Sequence, residues 1–299
     1  MNILITNHAL HNVGGTETWV ITMANEMIMH FHDVEVCTPS VFGPVASRLA
    51  DDVKRTVVPS REEYDLILTN TVIGQDLAHG VRGFRIHTVH GAFIWQEFPP
   101  KVGADVYVSI SQEIKDALSD IGVESTLIYN PVEIWDSPHW YSREIADTPE
   151  TFLSLSVDER LNKFAEEVCG SMGIKFISRN KHTNPTMDIL QDITVADIVM
   201  AVGRGAYEAL SYGRAVIAGD CRQYAHPEKI MDGMLDAYNI EGSLMYNCTG
   251  RYAKIPIGYE SLEKAIKEYH PGMGEWNRQF AKERFDAMKV ADQYLDLMP

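Results

Sequence analysis

A glycine-rich turn that carries an arginine lies between two apolar segments in the second half of the chain. The apolar run 198–202 leads into Gly203-Arg204-Gly205, a short helix is predicted up to Gly213, and a second apolar run follows. A glycine turn that opens a helix leaves backbone N–H groups for phosphate oxygens. The guanidinium of Arg204 can add a bidentate, charge-assisted contact. These residue types in this order favour a diphosphate site.

Glu208 lies one turn into the predicted helix, four residues after Arg204. There its carboxylate could accept hydrogen bonds from the two hydroxyls of a ribose. Residues four apart on a helix are also neighbours, so Glu208 and Arg204 could instead pair with each other. Any βαβ unit needs one glycine to turn and another to stop its helix. The segment therefore predicts either a nucleotide diphosphate site or an ordinary βαβ unit.

A second glycine pair occurs in the first predicted strand-to-helix turn, at residues 6–18. Gly14 and Gly15 allow the backbone to approach a ligand closely, at a position where open α/β sheets bind ligands. The pattern is not GxGxxG, so it supports a nicotinamide or flavin site only weakly. The alternative is a loop capped by Thr16, with Glu17 favourably placed in the dipole of the following helix.

Two histidines belong to the predicted strand 85–89 and its end. His90 lies at the carboxyl edge before Gly91, so it is better placed than His87 to hydrogen-bond a ligand hydroxyl. A lone histidine is more often structural, which is the alternative interpretation. No carboxylate or cysteine lies at metal-ligand spacing, which disfavours a metal site.

Other cationic residues of the second half could also contact a diphosphate. Arg179 and Lys181 follow the end of a predicted strand, and Arg160 and Lys163 lie on a predicted helix. Most such side chains are solvated surface charges, so Arg204 has the best setting.

Apolar segments of strand length alternate with amphipathic segments of helix length over most of the chain. Strands are predicted at 2–6, 34–38, 66–69, 85–89, 106–110, 125–129, 152–155, 175–178, 198–202 and 215–218, and helices at 15–30, 45–49, 112–121, 158–172, 187–195 and 275–296. This alternation predicts an α/β fold with parallel sheets covered by helices on both faces.

The alternation is interrupted after Asn130-Pro131-Val132 by an irregular, polar segment. We therefore predict a first domain at 1–133, a linker at 134–150 and a second domain at 151–274. The last segment, 275–299, is predicted to form a helix that returns to the first domain.

Composition limits the class of protein. The chain has 299 residues, 45% of them hydrophobic and 23% charged, with a net charge of −16. This charge argues against a nucleic-acid partner, and no segment predicts a membrane span. Four widely spaced cysteines predict reduced thiols and a cytoplasmic protein.

Taken in order, these segments resemble the retaining glycosyltransferases of the two-domain GT-B fold, most closely family 4. The matching parts are the first strand, glycine pair and helix (3–20), a second strand like "GHEVxV" (32–36), His90, the approach to the linker (108–111 and 130–132) and a segment like "EAxAxGxPVI" (208–217).

The resemblance implies two Rossmann-like parallel-sheet domains that face each other across a cleft. It also implies transfer of a sugar from a UDP-, GDP- or ADP-sugar to an acceptor hydroxyl, with retention and without metal or cofactor. The donor would contact Gly14, Gly15, Gly203, Arg204, Gly205 and Glu208, and the reacting groups would contact His90, Gly15 and Arg204. The acceptor stays open among a glycan precursor, a small molecule, a protein and a modified nucleobase.

The chain departs from the family pattern at three points. Met200 stands where the family has the first of two carboxylates, the one that contacts the donor sugar. The arginine and lysine expected after the first strand of the second domain are not obvious, and the chain is short for the fold. Two other functions therefore stay open, a non-catalytic nucleotide-sugar-binding protein and a sugar-nucleotide epimerase.

Overall fold

A computed structural model describes residues 1–11, 13–40, 42–98, 103–134, 145–184, 186, 188–220 and 228–299. These residues form two compact units, one of Met1–Pro131 with Ala287–Pro299 and one of Val132–Asp286. Most of the predicted linker, together with Met187 and Cys221, lies outside the described residues.

The first unit contains a seven-stranded sheet in which every strand pair is parallel. The strands are β1 (Asn2–Thr6), β2 (Asp33–Cys37), β3 (Lys54–Thr56), β4 (Glu63–Thr69), β5 (Arg82–Val89), β6 (Val106–Ser109) and β7 (Thr126–Leu127), and they lie in the order β3-β2-β1-β4-β5-β6-β7. Its helices are α1 (Gly15–Met29), α2 (Val72–Leu77), α3 (Gln112–Asp120) and, from the end of the chain, α10 (Ala287–Leu295), with a 3-10 turn at Pro44–Arg48.

The second unit contains a six-stranded sheet. Its strands are β8 (Thr151–Ser154), β9 (Lys175–Ser178), β10 (Ile198–Ala201), β11 (Ala215–Asp220), β12 (Ile230–Met234) and β13 (Ile255–Pro256), in the order β13-β12-β11-β10-β8-β9. Its helices are α4 (Glu159–Ser171), α5 (Ile189–Val195), α6 (Arg204–Ser211), α7 (Ile240–Met245), α8 (Tyr259–Lys267) and α9 (Met273–Arg284).

The predicted α/β fold with parallel sheets is confirmed, with one addition at the edge of the second sheet. Strands β8 to β11 pair in parallel, whereas β12 and β13 pair antiparallel. Sequence alternation missed both of these strands, as well as β3 and helices α2, α7 and α8. Strands β3 and β13 have three and two residues, and helices α2 and α7 have six each, which is too few for a periodic pattern. Strand β12 and helix α8 are as long as elements that were predicted, and the sequence analysis did not identify them.

Each sheet has its own apolar core. In the first unit, residues of β1, β2 and β4 pack with α1 and with Val290, Ala291 and Tyr294 of α10. The hydroxyl of Tyr294 lies 2.9 Å from that of Thr88 on β5. In the second unit, residues of β8, β10 and β11 pack against α4 and α8.

The single helix predicted over 275–296 is wrong, because the structure contains two helices, α9 and α10. The carbonyl of Phe285 accepts the N–H of Val132 at 2.8 Å, and Asp286 forms a parallel bridge with Val132. The ring of Phe285 also stacks on Tyr207 with centroids 4.2 Å apart. The carbonyl of Phe285 therefore bonds to Val132, whereas in a continuous helix it would accept an N–H group four residues further along.

Gly213 ends α6 as the sequence predicts, in a left-handed conformation with φ +66°. We expect Gly213→Ala to destabilise the protein by at least ~1–2 kcal/mol, because an L-residue is strained at this φ. A Cβ there would also lie 2.9 Å from the carbonyl oxygen of Gly274. Urea unfolding measures the change.

Gly170 in α4 is the matched control, since a Cβ at this position would meet no described atom within 4 Å beyond its chain neighbours and the backbone of its own helix. Gly170→Ala should stabilise by ~0.5–1 kcal/mol through helix propensity. Equal effects of the two substitutions would contradict the role assigned to Gly213.

Candidate functional site

The turn between β10 and α6 depends on the backbone of Gly203. Strand β10 is fully buried, and Gly203 follows it with φ +54° and ψ −130°, a conformation that L-residues rarely adopt. The carbonyl of Gly203 then accepts the N–H groups of Ala206 and Tyr207 at 3.0 and 3.2 Å. The turn therefore starts α6 directly at the carboxyl end of a central strand.

One of the turn amides is used within the protein. The N–H of Gly203 donates to the carbonyl of Asn247 at 2.9 Å, so it does not serve a ligand. Arg204 and Gly205 are the first residues of α6, and a helix offers no internal acceptor for such N–H groups. At Gly205 a Cβ would lie 3.2 Å from Cδ1 of Leu155, so the helix start packs closely against this side chain.

Arg204 and Glu208 pair with each other on α6. Nε of Arg204 donates to Oε1 of Glu208 at 3.0 Å, and the two side chains are only 7% and 16% exposed. The sequence left open whether these residues pair or bind a ligand, and the structure contains the pair. A carboxylate has acceptor capacity for several donors, so the pair holds the guanidinium in place without using all of Glu208.

Tyr212 lies at the end of α6 among several carboxylates. Burial raises the pKa of its hydroxyl to about 12, with further contributions from the charges of Glu208, Glu133 and Asp188. The hydroxyl therefore stays protonated at neutral pH and can act as a hydrogen-bond donor.

The other predicted cations are in less favourable settings. Arg160, Lys163 and Lys181 are exposed. Arg179 makes a bidentate pair with Asp192 at 2.6 and 2.8 Å. The structure does not show these four side chains forming a site with Arg204.

The N-terminus of α4 already holds a carboxylate. Asp158 caps the helix by accepting the N–H groups of Arg160 and Leu161, and its other oxygen lies 2.9 Å from Nζ of Lys229. Burial by itself would raise the pKa of Asp158, but these hydrogen bonds and the lysine charge outweigh it and lower that pKa. This helix start is therefore occupied by a side chain of the protein.

The buried position of Met200 accounts for the absence of the carboxylate that the resembling family has at this place in the sequence. Met200 is 1% exposed, belongs to the core of the second unit and pairs with Ile217 of β11 and Ser154 of β8. Only Val202 and Gly203 separate β10 from α6, so the position eight residues before Glu208 falls within the strand. A charged side chain at this position would be buried in the apolar core instead of reaching a ligand.

The glycine pair of the first unit lies beside a carboxylate. Gly14 precedes α1, and Oε2 of Glu17 occupies the space that a Cβ on Gly14 would need. Oε1 of Glu17 lies 3.5 Å from Nε2 of His8, and Thr16 donates its hydroxyl to Oε2 at 2.9 Å. Gly15 is exposed, and apart from its own chain neighbours and helix backbone no atom of the described residues lies within 4 Å of where its Cβ would be. The turn is open at Gly15 and negatively charged at Glu17.

His90 lies at the carboxyl end of β5 and is half-buried. Its Nε2 is 3.3 Å from Oδ1 of the buried Asn70, and its ring meets Trp19 of α1 edge-on, with centroids 5.7 Å apart. Trp19 thus connects His90 with the helix that starts at the glycine pair. His87, in contrast, is fully buried within the sheet.

Sequence reasoning missed two residues that shape the site of the second unit, Tyr207 and Asn247. The hydroxyl of Tyr207 donates to Oδ1 of Asn247 at 3.0 Å, across 40 residues of sequence. Tyr207 occupies a core position of α6, and Asn247 follows α7 in a polar turn. The only local signal was that asparagine tolerates a turn with positive φ.

The described residues contain neither a membrane-spanning helix nor a cluster of metal ligands. None of the helices in these ranges is long and apolar enough to cross a membrane. The same part of the chain contains no group of three or more His, Cys, Asp or Glu side chains that could hold a metal ion.

The sequence matches no protein-family model and no curated protein. Solved structures, however, resemble the chain over nearly its whole length. TarM superimposes with a TM-score of 0.67 at 10% identity, covering 99% of this chain and 98% of its own. A glycosyltransferase from Rickettsia africae ESF-5 gives 0.61 at 13% identity, covering 99% and 97%. The catalytic domain of starch synthase IV from Arabidopsis thaliana, bound to ADP and acarbose, gives 0.61 at 10% identity, covering 99% and 98%.

At such low identity these likenesses show the fold. The chain has the two-domain α/β fold called GT-B, which the sequence predicted and which these glycosyltransferases share.

The buried His87 generates a prediction about acid stability. Burial lowers its pKa to about 3, and its Nε2 has no hydrogen-bond partner among the described residues. The unfolded chain binds a proton near pH 6.5, whereas the folded protein does so only near pH 3. The free energy of unfolding should therefore fall as pH drops through this window, by at most roughly 5 kcal/mol from this group.

His87→Gln should reduce this pH dependence, as measured by urea unfolding at pH 7, 5.5 and 4. The exposed His79→Gln is the control and should leave the dependence unchanged. Parallel pH profiles for the native protein and His87→Gln would contradict the prediction.

Proposed function

We propose that this protein is a glycosyltransferase that moves a sugar from a nucleoside diphosphate sugar to an acceptor hydroxyl. The observation that carries the proposal is the position of Arg204. Arg204 is the first residue of α6 and follows the glycine turn at the carboxyl end of β10. Its side chain is largely buried and is held by Glu208. Open α/β sheets bind their ligands at this edge.

The second unit would bind the donor. The positive end of α6 and the guanidinium of Arg204 are suited to the diphosphate. Glu208, one turn further along, would accept hydrogen bonds from the ribose hydroxyls. The likeness to a starch synthase bound to ADP supports a nucleoside diphosphate ligand, and leaves the base open among UDP, GDP and ADP.

The chemical step needs charge stabilisation and alignment. As the bond between the anomeric carbon and the diphosphate oxygen breaks, its electron pair leaves with the diphosphate, and the acceptor oxygen bonds to the anomeric carbon. Arg204 and the first N–H groups of α6 would stabilise the growing negative charge. In the retaining course that the sequence resemblance implies, a diphosphate oxygen takes the acceptor proton, and no metal is required.

The first unit would bind the acceptor. Gly15 leaves room for a ligand at the start of α1, and His90 lies near the same edge through its contact with Trp19. Oε2 of Glu17 packs against Gly14, so an anionic phosphate would meet a carboxylate there. This charge favours a hydroxyl-bearing acceptor at the first unit and the diphosphate at the second.

A non-catalytic nucleotide-sugar-binding protein is the second candidate. It is favoured by one observation, that Met200 is buried where the resembling family has its sugar-binding carboxylate. Both candidates bind the donor, but only a transferase releases the nucleotide faster when an acceptor is added.

A thermal-shift panel of UDP, GDP, ADP and their sugars tests the proposal first. A ligand that binds only the folded state raises its melting temperature, so the preferred donor should stand out. Nucleotide release from that donor, with glycan precursors, small alcohols, proteins and hydroxymethylated DNA as acceptors, then tests transfer. A panel with no stabilising nucleotide would reject both candidates.

Arg204→Ala should lower turnover by about 10²–10³-fold, because the substitution removes a group that stabilises charge in the transition state. Affinity for the nucleoside monophosphate should change much less. Steady-state kinetics and calorimetry measure the two effects. Arg284→Ala removes an exposed arginine of the same unit and serves as the control; unchanged turnover in Arg204→Ala would show that Arg204 acts only in its ion pair.

Glu208→Ala should weaken nucleotide binding by about 1.5–3 kcal/mol for each ribose hydrogen bond lost, with the fold retained. Calorimetry with the nucleoside diphosphate and with its 2′,3′-dideoxy analogue measures the effect. The native protein should prefer the ribose form, and the variant should bind both forms equally. A variant that keeps the native preference for ribose would exclude the ribose role.

A further inference from the structure

Asn247 faces the glycine turn of the candidate donor site from a different part of the chain. It follows α7, with φ +55°, and its carbonyl accepts the N–H of Gly203 at 2.9 Å. A Cβ on Gly203 would lie 3.1 Å from Nδ2 of Asn247. The side-chain amide therefore lies directly over the turn that starts α6.

The orientation of this amide is set by Tyr207. The hydroxyl of Tyr207 donates to Oδ1 of Asn247 at 3.0 Å, so the oxygen end of the amide is occupied. Nδ2 is the amide atom nearest the position of a Cβ on Gly203, at 3.1 Å against 3.5 Å for Oδ1. Tyr207 is itself fully buried, and its ring stacks on Phe285 at 4.2 Å. The donor end of the amide is thus positioned by a rigid core residue.

The amide nitrogen has donor capacity to spare. An amide NH₂ group carries two N–H donors. Within the described residues, Nδ2 of the half-buried Asn247 donates no hydrogen bond. An uncharged donor beside the start of α6 suits an anionic oxygen, because the helix end attracts negative charge and the amide adds direct hydrogen bonds.

We propose that Asn247 is a donor-binding residue whose side-chain amide hydrogen-bonds the diphosphate of the nucleoside diphosphate sugar, beside Arg204. This inference rests on the proposed function. A carboxylate that binds sugar hydroxyls acts as an acceptor, whereas Nδ2 is a donor, so Asn247 does not substitute for the carboxylate missing at Met200. It adds a contact to the phosphates.

Two variants separate this role from a structural one. Asn247→Asp keeps an oxygen for the Tyr207 hydroxyl and the main-chain contact with Gly203, but removes the donor and adds a negative charge. Asn247→Gly keeps the positive φ without strain and removes the side chain. Gln279→Glu is the matched control, because it adds the same negative charge at an exposed position of α9.

Calorimetry with inorganic pyrophosphate, and with the nucleoside diphosphate that most stabilises the native protein, tests the proposal. We expect binding about 10- to 100-fold weaker in Asn247→Asp and about tenfold weaker in Asn247→Gly, with Gln279→Glu within twofold of the native protein. Thermal unfolding confirms that each variant is folded.

The possible outcomes separate the two proposals. If the native protein binds the diphosphates and folded Asn247→Asp binds them within twofold of it, Asn247 has only a structural role and the inference is overturned. The proposed function would survive that result. If the native protein binds no nucleoside diphosphate and no pyrophosphate, both fail together.

Discussion

The hydrogen bond between the N–H of Gly203 and the carbonyl of Asn247 is the constraint on which the candidate donor site depends. It holds Gly203 in a conformation that only glycine adopts without strain, and α6 starts at the next residue. Arg204 and Glu208 lie on the first two turns of that helix, so their position follows from this contact.

Each unit has a charged side chain beside a glycine that follows the carboxyl end of a parallel strand, and the two charges have opposite sign. Both units start a helix with a glycine turn at the carboxyl end of a central strand, β1 in the first unit and β10 in the second. In the first unit the carboxylate of Glu17 packs against the turn, and in the second the guanidinium of Arg204 belongs to it. The two turns differ in backbone, since Gly14 is extended and Gly203 has a positive φ, and they also differ in charge. This difference in charge is the basis on which the proposed function assigns the acceptor to the first unit and the diphosphate to the second.

Tyr207 connects the site to the core of the second unit. Its ring packs on Phe285, where the chain leaves α9, and its hydroxyl holds the amide of Asn247. The same Phe285 pairs through its carbonyl with Val132, which ends the helix. The break between α9 and α10 and the orientation of Asn247 thus share one packed aromatic pair, so substitutions at this pair should affect both.

The sequence by itself determined the strands of the first sheet except β3, strands β8 to β11 of the second sheet, the helix ends at Gly213 and Asp158, and the glycine turn with Arg204 and Glu208. These features are local: apolar runs, caps and turn residues act over a few positions, so their pattern is visible in the chain. Only the tertiary structure decided that Arg204 and Glu208 pair, that Met200 and His87 are buried, and that Asn247 lies over Gly203. It also decided that Val132 interrupts the last helix and that β12 and β13 run antiparallel. The Arg204–Glu208 pair is local to α6, and the structure only chose between the two alternatives that the sequence offered. The other features depend on contacts between residues far apart in sequence, and no local periodicity encodes which distant segment supplies the partner.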